Sequence, residues 1–366
     1  MKKVSIALGI LFVALFCYAY SLPTQSYPYT YIVEKQYYPQ IKLAENSNVL
    51  IVGDRLGHHM AEYIPQMQSL FGQTFSRPVK IFNWAQNKEG IHRTLDKIKS
   101  LSKIPPVIVY MGGTQDFLEK LVHIEDYNRL QKVFKNYNDI KINRWIDKYP
   151  WLSKFFYYLP NHIYIDKYHE YLKVLTPKQE LQQKELHLTL YEFALEEMAR
   201  KILLNGSELI VVIPPINLLK RPGQNCLASS SDKLENELNK VERLLEKEQI
   251  KDSLTYLEVI MKSTFANARA WYLYGKTYLE LGRLDMALAS LEKANAYDCN
   301  DRDGSVLINK VMTKVAHNQG VIKVDFYSMV NRTLGENENF TIEHIPKEGH
   351  FNYLIEDLED KIAPLL

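Results

Sequence analysis

The sequence is short of cysteine. Its 366 residues include three cysteines, of which Cys226 and Cys299 remain once the N-terminal segment is set aside. A cysteine pair in an exported protein is able to form a disulfide, but sequence alone does not bring the two Cα atoms within bonding distance. We therefore expect two unpaired, buried thiols.

An excess of charge of either sign is also lacking. Basic and acidic residues nearly balance, at 45 and 43, which gives a formal net charge of +2. A protein that binds nucleic acid through its phosphates carries a basic surface, and this balance does not indicate one. We expect no nucleic-acid partner.

The long apolar run of the sequence lies at its N-terminus, from Val4 to Tyr20, directly after Lys2 and Lys3. It is slightly shorter than the about 20 residues that a membrane span needs. A basic start, an apolar run and small residues near its end are typical of a secretory signal peptide. We expect residues 1–21 to be a signal peptide or an uncleaved anchor, with cleavage favoured. The protein would then be secreted, periplasmic or held at the cell envelope, with membrane association through its N-terminus.

The remaining chain predicts an α/β fold that follows an extended arm at 22–46. Short apolar, β-branched runs bounded by glycine, proline or polar residues recur at 49–52, 79–82, 106–111, 209–213 and 321–326. Helical patterns such as 91–101 and 181–204 lie between them. Strands that alternate with helices predict a parallel sheet covered on both faces. In such sheets ligands bind at the carboxyl ends of the strands.

Two insertions interrupt this alternation. Residues 117–177 are dense in aromatic and basic residues, and we expect either an ordinary helical cover or a lid or membrane-contacting flap. Residues 231–301 are helical, and one stretch has the spacing of a tetratricopeptide repeat, whose period is about 34 residues. The matching positions are Trp271, Gly275, Tyr278, Gly282, Ala287, Leu291 and Ala294. This good repeat and a degenerate one before it would form either a protein-binding surface or a structural brace packed on the sheet.

Four short blocks of polar residues and glycine complete the pattern. They are Asp54 and Arg55 in "IVGDRLG", Asn83 and Gly90 in "NWAQNKEG", Gly113, Gln115 and Asp116 in "GGTQD", and Glu348, His350 and Asn352 in "KEGHFNYL". The order of the blocks resembles that of the SGNH (GDSL-type) hydrolases, a family of exported or cytosolic esterases and acyl-transfer enzymes. The resemblance implies a three-layer, flavodoxin-like parallel sheet, split between residues 47–230 and 302–366 around the inserted helical repeat at 231–301. It implies no cofactor and no metal.

The resemblance also implies a role for each block. In that family a serine after the first strand is the nucleophile, a histidine is its base, and an acid orients the histidine. His350 and Glu348 match the base and the acid. Backbone and amide donors that stabilise the oxyanion match Gly90 and Gln115. Arg55 stands where the serine would be.

Arg55 removes the chemistry that the other blocks imply. A guanidinium has no lone pair with which to attack and stays protonated, and loss of the nucleophile costs a serine protease about six orders of magnitude in turnover. Gln115 in place of asparagine and Glu348 in place of aspartate depart from the family in the same direction. We therefore expect a catalytically inactive, hydrolase-like protein that binds a ligand or a protein partner. Arg55 would hold an anionic group or form a structural ion pair with Glu348.

Three alternatives stay open at this stage. One is an active esterase or O-acyltransferase on envelope carbohydrate or lipid, with a relocated nucleophile such as Thr114, Ser76 or Ser328. Another, possible on paper, is a metal enzyme with His58, His59, His344, His350, Glu343 and Glu348 as candidate ligands, but the adjacent His58 and His59 point apart on a helix, and we expect no metal. The last is a structural assembly protein in which the pocket has no role.

Overall fold

The computed structural model describes residues 13–14, 17–18, 31–32, 40–118, 127–157, 163–164, 176–223, 232–299, 304–332, 334, 339–341 and 345–366. Most of the expected signal or anchor and most of the arm therefore lie outside the described residues, as do Cys226, Glu343 and His344. Among the residues that are described, no helix has the length and apolar character to cross a membrane. The chain divides into two compact units, one of Met1–Lys35 with Leu121–Leu172 and one of Gln36–Lys120 with Lys173–Leu366.

The larger unit is built on a five-stranded, all-parallel sheet. Its strands are β1 Val49–Gly53, β2 Ile81–Asn83, β3 Val107–Met111, β4 Glu208–Val212 and β5 Ile322–Val324, in the spatial order β2-β1-β3-β4-β5. All five predicted strands are present, with ends that differ by one or two residues. This is one of the two common strand orders of doubly wound sheets. Strands are added first on one side of β1 and then on the other, so the strand order reverses between β1 and β3.

One predicted strand end is wrong. Asp325 was placed inside the last strand, but β5 ends at Val324 and Asp325 caps the helix that follows. Its Oδ1 accepts a hydrogen bond from the backbone N–H of Ser328 at 3.1 Å. Aspartate is favoured directly before a helix, because its short side chain accepts a hydrogen bond from a free N–H of the first turn. It gains no such bond in the interior of a strand.

Helices account for most of the described chain. In chain order they are α1 Ile41–Glu45, α2 Arg55–His59, α3 Ile64–Phe75, α4 Ile91–Ser100, α5 Tyr127–Tyr137, α6 Ile140–Lys148, α7 Ser153–Phe156, α8 Pro177–Leu204, α9 Asp232–Glu246, α10 Ile250–Ser263, α11 Ala268–Glu280, α12 Leu284–Tyr297, α13 Val306–Gln319, α14 Phe326–Asn331 and α15 Glu348–Ile362. A short 3₁₀ turn, Met60–Tyr63, links α2 to α3.

Helices pack on both faces of the sheet. Successive strand residues point to opposite faces, so Leu50 packs with α4, α8 and α13 whereas Ile51 packs with α2, α3 and α15. Both side chains are 0% exposed. Two covered faces explain why the strands are continuous apolar runs instead of alternating ones.

The insertion between β4 and α13 forms the four helices α9 to α12. Helices α11 and α12 approach closely at Gly275, where an added Cβ would lie 2.6 Å from Cγ of Leu291. Gly282, between the two helices, has φ +69°, a conformation that glycine adopts without strain. The four helices share a hydrophobic cluster with Ile216 and Leu218, which follow β4. The insertion is therefore part of the larger unit.

The described part of the smaller unit consists of α5, α6, α7 and a pair of two-residue strands. Tyr31–Ile32 pairs in parallel with Ile163–Tyr164. Helix α6 begins after Asp139, whose Oδ1 accepts from the Lys141 N–H at 2.8 Å. The described residues of the aromatic insertion are thus mainly helical.

The expectation of unpaired thiols is wrong for Cys299, which is disulfide-bonded. Cys17 carries a free thiol.

Candidate functional site

Asp54 links the loops that follow β1 and β3. Its carboxylate is 0% exposed and caps α2, with Oδ1 accepting from the Leu56 N–H at 3.1 Å. Oδ2 accepts from the N–H groups of Thr114 and Gln115 at 2.6 and 2.8 Å. Burial raises the pKa of Asp54 above its usual value, while the hydrogen bonds oppose that shift. The first and third sequence blocks therefore meet through this carboxylate.

Two glycines make this approach sterically possible. Gly53 has φ +131°, and a Cβ added to it would lie 2.3 Å from the backbone oxygen of Met111. Gly113 has φ +95°. A residue with a side chain at either position would be strained, and at Gly53 it would also push β1 and β3 apart.

The second block joins the same cluster. The side-chain Oε1 of Gln115 accepts from the Lys88 N–H at 2.7 Å, and Oδ1 of Asp116 accepts from the Ile91 N–H at 2.7 Å. Gly90 is buried and lies directly before α4 as its N-cap residue. Blocks one, two and three thus form one polar network at the carboxyl ends of β1, β2 and β3, which is where an α/β sheet binds ligands.

Asn83 connects β2 to the helix that carries Arg55. Its Nδ2 donates to the Gly57 carbonyl at 2.7 Å, and its Oδ1 accepts from the Ala85 N–H at 3.0 Å. Arg55 is the first residue of α2 and is half-buried. It occupies the turn where β1 passes into a helix, as the sequence predicts.

The fourth block lies at the start of α15. Glu348 is its first residue and is exposed, whereas His350 is half-buried. Burial lowers the pKa of the His350 imidazole, and the charge of Lys347 lowers it further. Asn352 is exposed and accepts from Nε2 of Gln66 at 3.2 Å.

Aromatic packing holds this block beside the segment that follows Arg55. The Phe351 ring stacks on Tyr63 with 4.9 Å between centroids and lies 5.0 Å from the ring of His59. Burial raises the pKa of Tyr63, and the negative charges of Glu348 and Glu62 raise it further. The structure therefore brings the start of α15 to the end of α2.

A buried ion pair that the sequence did not predict lies next to Gly90. The Lys97 ammonium is paired with the Glu89 carboxylate and also donates to the Trp84 carbonyl at 2.8 Å. Thr94 donates to Oε1 of Glu89 at 2.9 Å. Burial raises the pKa of Glu89 to about 7, although the Lys97 charge opposes the shift, and burial lowers the pKa of Lys97. A lysine three residues after Thr94 on a buried helix face was the available signal.

The alternative nucleophiles are placed apart from one another. Thr114 is buried in the loop after β3. Ser76 is exposed at the end of α3, before β2 begins, and Ser328 lies in α14. His58 is exposed on α2. Over the residues with described positions, no group of three histidine, cysteine or carboxylate side chains is arranged to hold a metal ion.

No protein-family model matches the chain, and no curated protein matches it. Among solved structures, a mutant of an acetyl-xylooligosaccharide esterase from a Geobacillus species is similar with a TM-score of 0.40 and 10% sequence identity, over 88% of this chain and 96% of that chain. An alpha/beta hydrolase from the metagenome of Lake Arreo is similar with a TM-score of 0.35 and 11% identity, over 87% of this chain and 95% of that chain. Similarities of this size assign neither a family nor an activity.

Proposed function

We propose that the protein is a non-catalytic, SGNH hydrolase-like scaffold with the three-layer, flavodoxin-like arrangement of that family. The observation that carries the proposal is that the polar side chains at the strand ends bind the loops, while an arginine stands where the nucleophile would be. Asp54 and Gln115 bind backbone N–H groups of the loops themselves, and Arg55 stands at the position of the nucleophile. The strand-end architecture is complete while the attacking group is missing.

The base is not set up for catalysis either. A serine hydrolase needs an acid hydrogen-bonded to the imidazole, so that the ring holds the correct tautomer and orientation. Glu348 is exposed at the first position of α15. His350 is half-buried two residues further along the same helix. These features favour a remnant over a working pair.

We further propose that the altered pocket binds an anionic group through Arg55. Arginine stays charged at any working pH and pairs with carboxylates and phosphates in a two-pronged geometry. The neighbouring carboxylate of Asp54 is fully buried, and its oxygens accept three backbone hydrogen bonds from the loops.

The inserted helices are proposed to be a tetratricopeptide-like pair that contacts a protein partner. The close approach at Gly275 and the burial of Ala287, Leu291 and Ala294 support this assignment, because small residues at those positions let two helices of a repeat touch. Trp271, which matches the tryptophan of the repeat pattern, makes a cation–π contact with Lys293, whose Nζ lies 4.1 Å from the ring centroid.

We place the protein outside the cytoplasm, secreted or at the envelope. The N-terminal apolar run supports export. The disulfide at Cys299 supports it independently, since structural disulfides form and persist in oxidising compartments.

The test of inactivity uses the full chain and a short acyl ester. We expect no turnover by the wild type and none by His350→Ala. Arg55→Ser restores the missing hydroxyl, and any turnover that appears must vanish in the double variant Arg55→Ser/His350→Ala. Wild-type turnover that depends on His350 would instead identify an active esterase or O-acyltransferase with another nucleophile, and the proposal would fall.

The test of the pocket is thermal unfolding with inorganic phosphate or acetate as probes. We expect a rise in Tm that is lost in Arg55→Ala and kept in Arg77→Ala, which removes an arginine at a distant position of the same unit. An equal rise in both variants would show that Arg55 does not hold the anion.

A further inference from the structure

Helix α6 of the smaller unit exposes a face of basic and aromatic side chains. Lys141, Arg144, Trp145 and Lys148 are all exposed. Their spacing of three and four residues places them on one side of the helix. We call this surface the α6 cationic face.

Large apolar side chains are also exposed within that helix and in the residues that follow it. A single exposed apolar side chain is ordinary, whereas several close together mark an interaction site. The exposed fractions are 69% for Ile140, 64% for Trp145, 46% for Tyr149, 39% for Trp151 and 58% for Phe155. These five residues lie within sixteen positions of the sequence, and such a concentration is typical of a binding surface.

The charge of the segment is as unusual as its aromatic content. Residues 127–157 contain seven basic and two acidic residues, a net charge of +5, whereas the whole chain carries +2. The rest of the chain is therefore net negative. A partner for this surface must be anionic and must also accept apolar rings.

The N-terminal segment leads directly into the same unit. Tyr31–Ile32 pairs with Ile163–Tyr164 of the aromatic insertion, and ten residues separate Tyr31 from the apolar run that ends at Tyr20. A fully extended chain of that length reaches about 40 Å. Any membrane that receives the apolar run thus lies within reach of this unit.

We propose that the α6 cationic face docks on the surface of an anionic lipid bilayer. Tryptophan and tyrosine prefer the interface between headgroups and acyl chains, where one end of the ring is apolar and the other is wet. Lysine and arginine lay their methylene stems along the apolar zone and keep their charges among lipid phosphates. The combination of exposed rings, net positive charge and a nearby N-terminal apolar run matches this occupant better than a protein groove.

The experiment measures the depth of Trp145 in full-length protein mixed with lipid vesicles. Vesicles of phosphatidylcholine with about one third phosphatidylglycerol carry brominated acyl chains, which quench tryptophan only at short range. The part of the quenching that disappears in Trp145→Phe belongs to Trp145. We expect that part to be large in anionic vesicles and small in pure phosphatidylcholine.

A charge variant tests the cause. Each basic residue near an anionic surface contributes about fivefold to binding. The triple variant Lys141→Gln/Arg144→Gln/Lys148→Gln should therefore lower the docked-to-undocked ratio about a hundredfold. The matched control is Lys247→Gln/Lys251→Gln/Lys262→Gln, which changes the net charge equally at exposed positions of the larger unit, and we expect it to keep the quenching.

Two results would overturn the proposal. One is Trp145 that stays unquenched in anionic vesicles to which the protein is bound, which would leave a soluble protein or carbohydrate as the occupant of this face. The other is an equal loss of quenching in the triple variant and its control, which would make the effect one of net charge alone. The changed side chains are exposed, so we expect every variant to fold. Circular dichroism of each variant checks that a loss of quenching does not come from misfolding.

Discussion

Asp54 provides the sharpest test of how the strand-end loops are held. We consider two substitutions, Asp54→Ala and Asp54→Asn. The first removes every acceptor from a position with 0% exposure. The second keeps the size of the side chain and one oxygen, but it replaces the other oxygen with a donor.

The magnitude follows from the three bonds that Asp54 accepts. The N–H groups of Leu56, Thr114 and Gln115 all point at its carboxylate. Each buried donor without an acceptor costs about 1–3 kcal/mol, so Asp54→Ala, which leaves all three without one, should lower the free energy of unfolding by about 3–9 kcal/mol. In Asp54→Asn one oxygen still accepts from the loop after β3, and the loss should be about 2 kcal/mol.

Urea unfolding followed by circular dichroism measures both losses. Asp325→Ala is the matched control, because Asp325 also caps a helix in the larger unit but is half-buried and accepts a single backbone bond. It should cost about 1 kcal/mol. If Asp54→Ala costs no more than this control, the carboxylate does not hold the two loops together and the description of the site is wrong.

Three further predictions concern the larger unit. Lys97→Met should cost about 3–5 kcal/mol at pH 8, because Glu89 loses its partner and must either take up a proton or stay as a buried, unpaired charge, whereas Lys97→Met/Glu89→Gln should cost less in the same urea assay. The pKa of Glu89 is raised from 4.5 to about 7, so the folded state holds a proton that the unfolded state has lost, and the stability present below pH 4.5 is lost as pH rises through 7. Glu89→Gln should flatten that slope, and an unchanged slope would contradict the assignment. Gly275→Ala should lower stability by about 1–2 kcal/mol because its Cβ meets the buried side chain of Leu291, whereas Gly72→Ala, with its nearest neighbour at 3.9 Å, should raise Tm through a helix-propensity gain of up to about 1 kcal/mol.

The strands were predictable because their signal is local. A run such as Val107–Met111 is apolar, β-branched and bounded by proline and glycine, and a fully buried parallel strand needs nothing more. The end at Asp325 was not predictable in the same way. Val321–Phe326 is apolar on both sides of the aspartate, and only the capping bond to Ser328 reveals that the strand has already ended.

The members of the site were predictable from their positions after strands, but their partners were not. Parallel strands bring their carboxyl ends to one edge, which is sufficient to place Asp54, Gln115 and Asp116 near one another. The hydrogen bond from the Thr114 N–H to Asp54 joins residues sixty positions apart. It depends on the close approach of Gly53 to the backbone of Met111. The ion pair between Lys97 and Glu89 was not predictable either, because helix periodicity alone does not show that both side chains are buried.

The geometry also explains how the fold tolerates Arg55. The bonds that close the network run from the Asp54 carboxylate to backbone N–H groups, and every residue except proline supplies such a group. The side chain at position 55 contributes to none of them. The aspartate that stabilises the turn and the residue that would perform the chemistry are neighbours with separable roles. Arg55→Ser should therefore leave the three Asp54 bonds intact and cost less stability than Asp54→Ala in the same urea assay, and an equal loss would contradict the separation of the two roles.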